Sequence, residues 1–345
     1  WSLLPFINKT EPQIDQIVEQ LTSLISSSEA DYILLTEKGA AGGVAELDGD
    51  GKVPDDQIPG VIQEAIDKNL PWRILGGGSN VILPKVLPGA TLLMNIGGQE
   101  IVASDGSATF IAVGGGVNWH EFVTWTLEKD LPGLENLALI PGTVGAAPIQ
   151  NIGAYGLELA DVFDHLIAWD FDVSNWVRLD KEACQFSYRN SIFKKFPQRY
   201  IVTNVIFRLK KPWVPNVKYE PLATALEGLE ITPQAIYDAV CAIRASKLPD
   251  PNVLGNAGSF FHNPIVSSEQ LQSIKTKFPK VISYPYEGSY KLAAGWLIEQ
   301  CGLKGLRQGP VGTYDRQALI LVNYGQGTGL DILELANFIE DKVYQ

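Results

Sequence analysis

Between Leu139 and Gly156 the chain reads Leu-Ile-Pro-Gly-Thr-Val-Gly-Ala-Ala-Pro-Ile-Gln-Asn-Ile-Gly-Ala-Tyr-Gly, without one charged residue. Eighteen uncharged, small-residue-rich positions make a poor surface loop, since connections normally run through solvent. The stretch is either a buried turn with glycines at positive φ or a backbone pressed against a large flat ligand. A second glycine cluster favours the ligand. Gly76-Gly77-Gly78-Ser79-Asn80 follows Trp72-Arg73-Ile74-Leu75, which reads as a strand. Three glycines in a row let backbone N–H groups converge on an anion, and Ser79 and Asn80 add side-chain donors. A pyrophosphate suits that turn, although it is neither a Walker A loop nor GxGxxG. Taken singly, each segment also fits a flexible or buried turn.

The remaining composition removes several classes. At 345 residues the chain is long enough for two or three domains. Hydrophobic residues at 46% against 19% charged exclude global disorder. No run of some 18 apolar residues predicts a membrane span, and no signal peptide is legible. A net charge of −12 opposes a nucleic-acid partner, which needs a cationic face. Cys184, Cys241 and Cys301 are sparse and lack CxxC spacing, which suits a reducing compartment and predicts a cytoplasmic protein. His120, His165 and His262 are equally scattered, so no metal site is readable and each is taken as structural.

The first 60 residues differ from the rest of the chain. They carry three lysines against eleven acids, a net of −8, so two thirds of the net charge sits in the first sixth of the chain. Thr10-Glu11-Pro12-Gln13 forms a capping-box pattern ahead of Ile14, Ile17, Val18, Leu21, Leu24 and Ile25, which predicts one amphipathic helix. That helix packs on its own domain or, through residues 10–25, on a second copy; a monomer is the simpler expectation. Residues 46–57 imitate part of a calcium loop but place Glu46 at its first position and Gln57 at its twelfth, where a bidentate glutamate is needed. Residues 38–60 therefore read as a turn-rich connector. They resemble the short connectors of phage tail-fibre proteins, which implies a structural linker.

Beyond residue 60 helical and strand patterns mix without strict alternation, giving an α+β class. A helix is expected over 61–68, strands over 72–75 and 109–113, a helix capped by Asn118 and running to Lys129, and another from Thr232 to Ala245. Lys247 is expected just after that last helix, and Lys291 at the opening of a further one.

Within this frame, WRILGGGSNVILP (72–84), LPGLENLALIPGTVGAAPIQNIGAYGLEL (131–159), FSYRNSIFK (186–194), GNAGSFFHNP (255–264), KLAAGWLIEQ (291–300) and DRQALILVN (315–323) carry a family likeness. The chain from 61 to 345 resembles the UDP-N-acetylenolpyruvoylglucosamine reductases, flavoenzymes of peptidoglycan precursor synthesis. The resemblance implies an FAD-binding domain of the vanillyl-alcohol-oxidase type in two subdomains (61–98 and 99–246) and an α+β substrate domain (247–345). It implies FAD contacts at Gly76, Gly77, Gly78, Ser79, Asn80, Pro141, Gly142, Thr143, Val144, Gly145, Ala146, Ala147, Ile149, Gln150, Gly153, Ala154 and Tyr155. NADPH is the implied reductant and a UDP-sugar the implied substrate, its vinyl carbon taking hydride and the adjacent carbon a proton.

By the same likeness Arg189 is the arginine that meets the substrate carboxylate. A guanidinium fork suits that task and stays charged at any relevant pH. Ser259 matches the proton donor, a poor acid unless its surroundings stabilise the alkoxide. Tyr219, Lys247, Asn263, Lys291 and Gln317 match substrate-binding positions, with Tyr219 marking the branch that closes a tyrosine-bearing loop over the diphosphate. Tyr155 could face the ring or the substrate.

Two departures accompany the match. The family's opening Asn-Thr-Phe segment is only faintly echoed by Ser2–Asn8, and residues 9–60 do not match. The family's closing Glu-Pro-Glu-Val strand is not reached at Val343-Tyr344-Gln345. Its glutamate stabilises the enol intermediate, and loss of one such group costs about 10²–10³ in rate. If the chain is complete, a slow catalyst that still binds FAD is therefore expected. A passive enzyme body assembled through residues 1–60, or a flavin oxidase with another substrate, remain the rival readings.

Overall fold

The computed structural model describes residues 58–84 and 86–344. The helix expected over 10–25 and nearly all of the connector lie outside that range. The described residues divide into two compact units, one running up to residue 78 and from 87 to 237, the other covering the stretch between 78 and 87 and everything from 238 on. Helices and strands mix in both, as an α+β chain requires.

The first unit begins with α1 (Ile58–Asp67), which starts three residues before the expected Val61. Its buried Ile62 and Ala65 pack with Trp72, Ile96 and Ile201. Strands β1 (Trp72–Leu75) and β2 (Ala90–Leu93) run parallel beside it. A five-stranded antiparallel sheet follows. It contains β3 (Gln99–Ser104) and β4 (Ala108–Gly114); then, after the two short strands β5 (Gly153–Ala154) and β6 (Leu157–Glu158), it takes in β7 (Phe163–Asp170), β8 (Asn175–Asp180) and β9 (Tyr200–Lys210). The order is β3-β4-β9-β7-β8. β9 lies at its centre, and Val202, Val205, Ile206, Phe207 and Leu209 are buried there, so both faces of that strand are covered.

Helix α2 (Trp119–Glu128) buries Trp119, Phe122 and Val123, with Phe122 and Phe207 rings 4.9 Å apart. Asn118 caps it, its Oδ1 accepting from the amides of His120 at 2.9 Å and Glu121 at 3.1 Å. Asn118→Ala should cost about 1 kcal/mol. Calorimetry should record that as a fall in melting temperature of roughly 2–4 °C; an unchanged value would show that the cap contributes nothing.

The two units divide within α3 (Pro233–Lys247), of which Lys247 is the last residue rather than the one after it. In the second unit β10 (Gly255–Ser259) belongs to a four-stranded antiparallel sheet, and β11 (Ile265–Val266) to a three-stranded one. Helix α4 (Ser268–Lys277), opened by a Ser267/Gln270 capping box, buries Leu271 against Val281 and Leu292. Strands β12 (Ser283–Tyr286) and β13 (Ser289–Leu292) complete the three-stranded sheet in the order β11-β13-β12. The larger sheet adds β14 (Arg307–Gln308), β15 (Val311–Thr313) and β16 (Ile320–Asn323) in the order β10-β16-β15-β14.

Helix α5 (Ala294–Gln300) follows β13, and α6 (Gly329–Tyr344) lays Ile332, Leu335 and Ile339 on Val311 and Leu321. Ile82, from the short excursion 79–86, packs into the same cluster. A Cβ on Gly329 would lie 2.8 Å from the Leu83 carbonyl oxygen, so α6 starts directly against that excursion. Lys291 lies in β13, not at the opening of a helix; α5 starts three residues later. Among the described residues no helix is long and apolar enough to cross a membrane.

Candidate active site

The two glycine segments meet in the first unit. A Cβ on Gly76 would collide with the Thr143 hydroxyl, and one on Gly77 would lie 3.6 Å from the Gly142 Cα. Gly76 is thus the residue that lets the segments approach this closely, while a Cβ at Gly77 would make only ordinary contact. The Thr143 Oγ1 is buried and has no hydrogen-bond partner. Among the described residues, no backbone N–H from Gly76 to Asn80 donates to a protein acceptor. A buried orphan hydroxyl is costly without a ligand, and the exposed Gly77 and Gly78 beside it leave backbone N–H groups accessible to one. Both features fit the diphosphate of FAD. Gly76, Gly77 and Gly78 group with the first unit, Ser79 and Asn80 with the second.

A third glycine run, Gly114-Gly115-Gly116, underlies this cradle. β4 ends at Gly114; the Gly115 amide donates to the Thr203 carbonyl at 2.6 Å, and that of Gly116 to the Ile96 carbonyl at 2.8 Å. A Cβ on Gly116 would stand 2.6 Å from the Asn95 Cα. Gly145 then stacks on this run, its amide donating to the Gly115 carbonyl at 2.8 Å. Asn118 and Thr143 form a β-bridge, with the Trp119 amide donating to the Gly142 carbonyl at 3.0 Å. Residues Val144–Gln150 wind into a 3-10 helix containing Ala146, Ala147 and Ile149. Pro141 precedes it, and Gly153 and Ala154 form β5.

Polar side chains that the sequence did not flag tie this segment down. Buried Asn136 donates to the Tyr155 carbonyl at 2.9 Å and to the Asn216 carbonyl at 2.7 Å. Its neighbour Glu135, also buried, accepts from the Trp213 indole at 2.7 Å. Together they fasten residues 213–216, beyond which Tyr219 meets Tyr155 edge-on with ring centres 5.5 Å apart. Buried Ser191 donates to the Ile149 carbonyl at 2.6 Å. Leu139, Asn151 and Tyr155 all adopt positive φ without being glycine. Each such residue costs about 1–3 kcal/mol, and such strain gathers at working sites.

Arg189 shares that strain, at φ 53°. Ser187 and Asn190 exchange both backbone hydrogen bonds at 3.1 Å, closing a two-residue turn with Tyr188 and Arg189 at its tip. The guanidinium Nη2 donates to the Gly153 carbonyl at 2.9 Å, which anchors the side chain on the glycine segment. Among the described residues no carboxylate pairs with it. Lys194, half-buried, donates to the Arg189 carbonyl at 3.0 Å, and burial followed by the Arg189 charge pushes its pKa down. Cys184 is inert by contrast: burial, then the Asp180 charge, pushes its thiol up to about 12.

In the second unit Ser259 ends β10 with an exposed side chain, next to Gly258 at φ 61° and a register shift in the pairing with β16. Asn263 Oδ1 accepts from the Ala294 amide at 3.0 Å, at the start of α5. Gln317 reaches the same helix, its Oε1 lying 3.0 Å from where a Gly295 Cβ would stand. Lys291 pairs with Ile265 across β13 and β11, and its ammonium sits 4.5 Å from the Tyr286 ring centre. Asn263, Lys291 and Gln317 therefore gather around the start of α5. Lys247 is exposed at the end of α3 and is not part of that group.

A five-stranded antiparallel sheet, a small parallel pair and facing glycine segments define an FAD-binding protein of the vanillyl-alcohol-oxidase type, here followed by an α+β domain. Residues 55–171 match the FAD binding domain family, and residues 250–345 match the UDP-N-acetylenolpyruvoylglucosamine reductase C-terminal domain. A UDP-N-acetylenolpyruvoylglucosamine reductase of Polynucleobacter asymbioticus is 59% identical over 290 residues, 84% of each chain. One from Burkholderia orbicola is 50% identical over 282 residues, 80% of this chain and 81% of that one. The crystal structure of the Thermus caldophilus reductase superposes with a TM-score of 0.53 at 23% identity, over 82% of this chain and 85% of that one, and supports the fold. The chain belongs to the UDP-N-acetylenolpyruvoylglucosamine reductase family.

Proposed function

We propose that this chain reduces the enolpyruvyl ether of UDP-N-acetylglucosamine enolpyruvate to UDP-N-acetylmuramate, with NADPH as reductant, in peptidoglycan precursor synthesis. Bound FAD supplies the chemistry of accepting hydride from NADPH and passing it to the vinyl carbon. The observation that carries the reading is Arg189, strained into a left-handed turn and tied to the glycine segment at the Gly153 carbonyl.

An electron-rich enol ether resists hydride, so the protein must stabilise the negative charge pushed onto the substrate carboxylate. Arg189 holds that carboxylate. One Nη2 bond to Gly153 leaves the rest of the donor fork for the substrate. Ser259 gives its proton to the carbon next to the one that takes hydride, and its hydroxyl serves only where neighbours stabilise the alkoxide. Tyr219, Tyr155 and Lys247 address the nucleotide and sugar, as do Asn263, Lys291 and Gln317 around the start of α5. Lys291, held over Tyr286, acts as a point charge for phosphate.

The test is direct. The purified protein should be yellow, and NADPH oxidation should begin on addition of the enolpyruvyl nucleotide and yield one UDP-N-acetylmuramate per NADPH consumed. Dioxygen uptake without response to that nucleotide would overturn the assignment in favour of an oxidase.

A further inference from the structure

Arg189 does not hold its conformation by itself. A long β-unbranched side chain at φ 53° prefers another backbone state, and the carbonyl that the turn leaves behind needs a donor. That donor is Lys194, five residues on, whose ammonium meets the Arg189 carbonyl at 3.0 Å. The contact is unusual in its charges. The ammonium is half-buried and burial, then the Arg189 charge, disfavours it there, although an asparagine or glutamine at 194 could have donated to the same oxygen without that cost. No carboxylate among the described residues sits on either side chain to offset them. Lys194 is also fixed from behind. It lies in the helical turn Ile192–Lys195, whose cap Ser191 is bonded through its hydroxyl to the Ile149 carbonyl of the glycine segment.

Resting on the role proposed above for Arg189, we infer that Lys194 is a positioning residue for the reduction: it clamps the Arg189 turn through the Arg189 carbonyl and adds a second positive charge behind the substrate carboxylate. Each part of that role predicts a different response to substitution. The clamp needs a donor, and the field needs a charge. Both strengthen as negative charge grows on the carboxylate in the transition state, so the effect falls on kcat more than on KM.

The experiment compares Lys194→Met, Lys194→Gln and Lys194→Arg with Arg189→Ala and with the Arg189→Ala/Lys194→Met double variant. All are measured as FAD-loaded protein by steady-state NADPH oxidation, with flavin absorbance as the check on folding. Lys194→Met should retain FAD and lose about 10–100-fold in kcat, with KM changed less than threefold. Lys194→Gln should recover only part of the loss, and Lys194→Arg most of it. In the Arg189→Ala background Lys194→Met should cost clearly less than in the unaltered protein, because no guanidinium is left to position and only the second charge remains to be lost. Equal, additive losses in the two backgrounds would overturn the inference while leaving Arg189 in place, as would full kcat in Lys194→Met. If Lys194→Met loses its flavin, Lys194→Gln decides: kcat equal to that of the unaltered protein overturns the charge, and a loss confined to kcat sustains it. Unchanged turnover in Arg189→Ala would instead overturn the reading on which the inference rests.

Discussion

Arg189→Ala should retain FAD and substrate binding while kcat falls by about 10²–10³, the typical cost of losing one preorganised transition-state donor. The change removes a guanidinium that donates to the Gly153 carbonyl. It also removes a long side chain from a strained backbone position, which alanine tolerates no better than arginine. Stability should therefore move little, and the deficit should be chemical. Arg189→Lys separates charge from geometry: an ammonium is a point charge without the fork, so it should restore less than a tenth of the lost rate. Stopped-flow spectroscopy checks where the deficit lies. Flavin reduction by NADPH should keep its rate in Arg189→Ala, and only reoxidation by the enolpyruvyl substrate should slow. Slowing of both half-reactions would place Arg189 on the nicotinamide side instead.

The second large effect is expected at Gly145. An added Cβ would stand 2.9 Å from the Gly115 Cα, 3.0 Å from the Gly115 carbonyl oxygen and 3.1 Å from that of Val202. All three are backbone atoms in or beside the five-stranded sheet, so none can turn aside as a side chain would. The glycine segment must lift, at an overpacking cost of about 1–3 kcal/mol. If that cost falls on the FAD-bound state, the dissociation constant rises by about tenfold to a hundredfold. Gly145→Ala should be purified partly colourless and with a lowered melting temperature. Gly77→Ala is the informative contrast. Its Cβ would meet the Gly142 Cα at an ordinary 3.6 Å, so the protein alone accommodates it. A flavin loss in Gly77→Ala without loss of stability would therefore report contact with the ligand itself. If both variants bind FAD normally, the cradle is not where the diphosphate lies.

What could be read from residues alone was mostly local. β1 falls on Trp72–Leu75 as expected, because three apolar positions around Arg73, followed by three glycines, leave little else. Asn118 caps α2 as expected, because the cap and the amides that donate to it lie within three residues. Lys291 was misjudged since Leu292, Ala293, Trp296 and Leu297 continue a helical apolar pattern toward it. What ends the helix at Ala294 is Asn263, 31 residues upstream, together with pairing to β11. Asn136 was missed for the same reason: its partners lie 19 and 80 residues away, and nothing in Leu-Glu-Asn-Leu signals them. The family likeness supplied roles for Arg189 and Ser259 that periodicity does not carry. The strain at Leu139, Asn151, Tyr155 and Arg189 has no compositional mark, since none is glycine.

The eight-residue excursion at 79–86 has a consequence for how such a protein can be divided or recombined. Those residues belong to the second unit, yet the chain returns to the first for some 150 positions before it re-enters the second at 238. Ile82 is thus a wedge supplied from far upstream to the hydrophobic seat of α6, with the Leu83 carbonyl set against the first residue of that helix. A polypeptide beginning at 238 would expose that seat, and exchanging the C-terminal piece with a relative's would graft it onto an unfamiliar wedge. The halves are inherited as an interlocked pair, and a productive crossover must carry both stretches together.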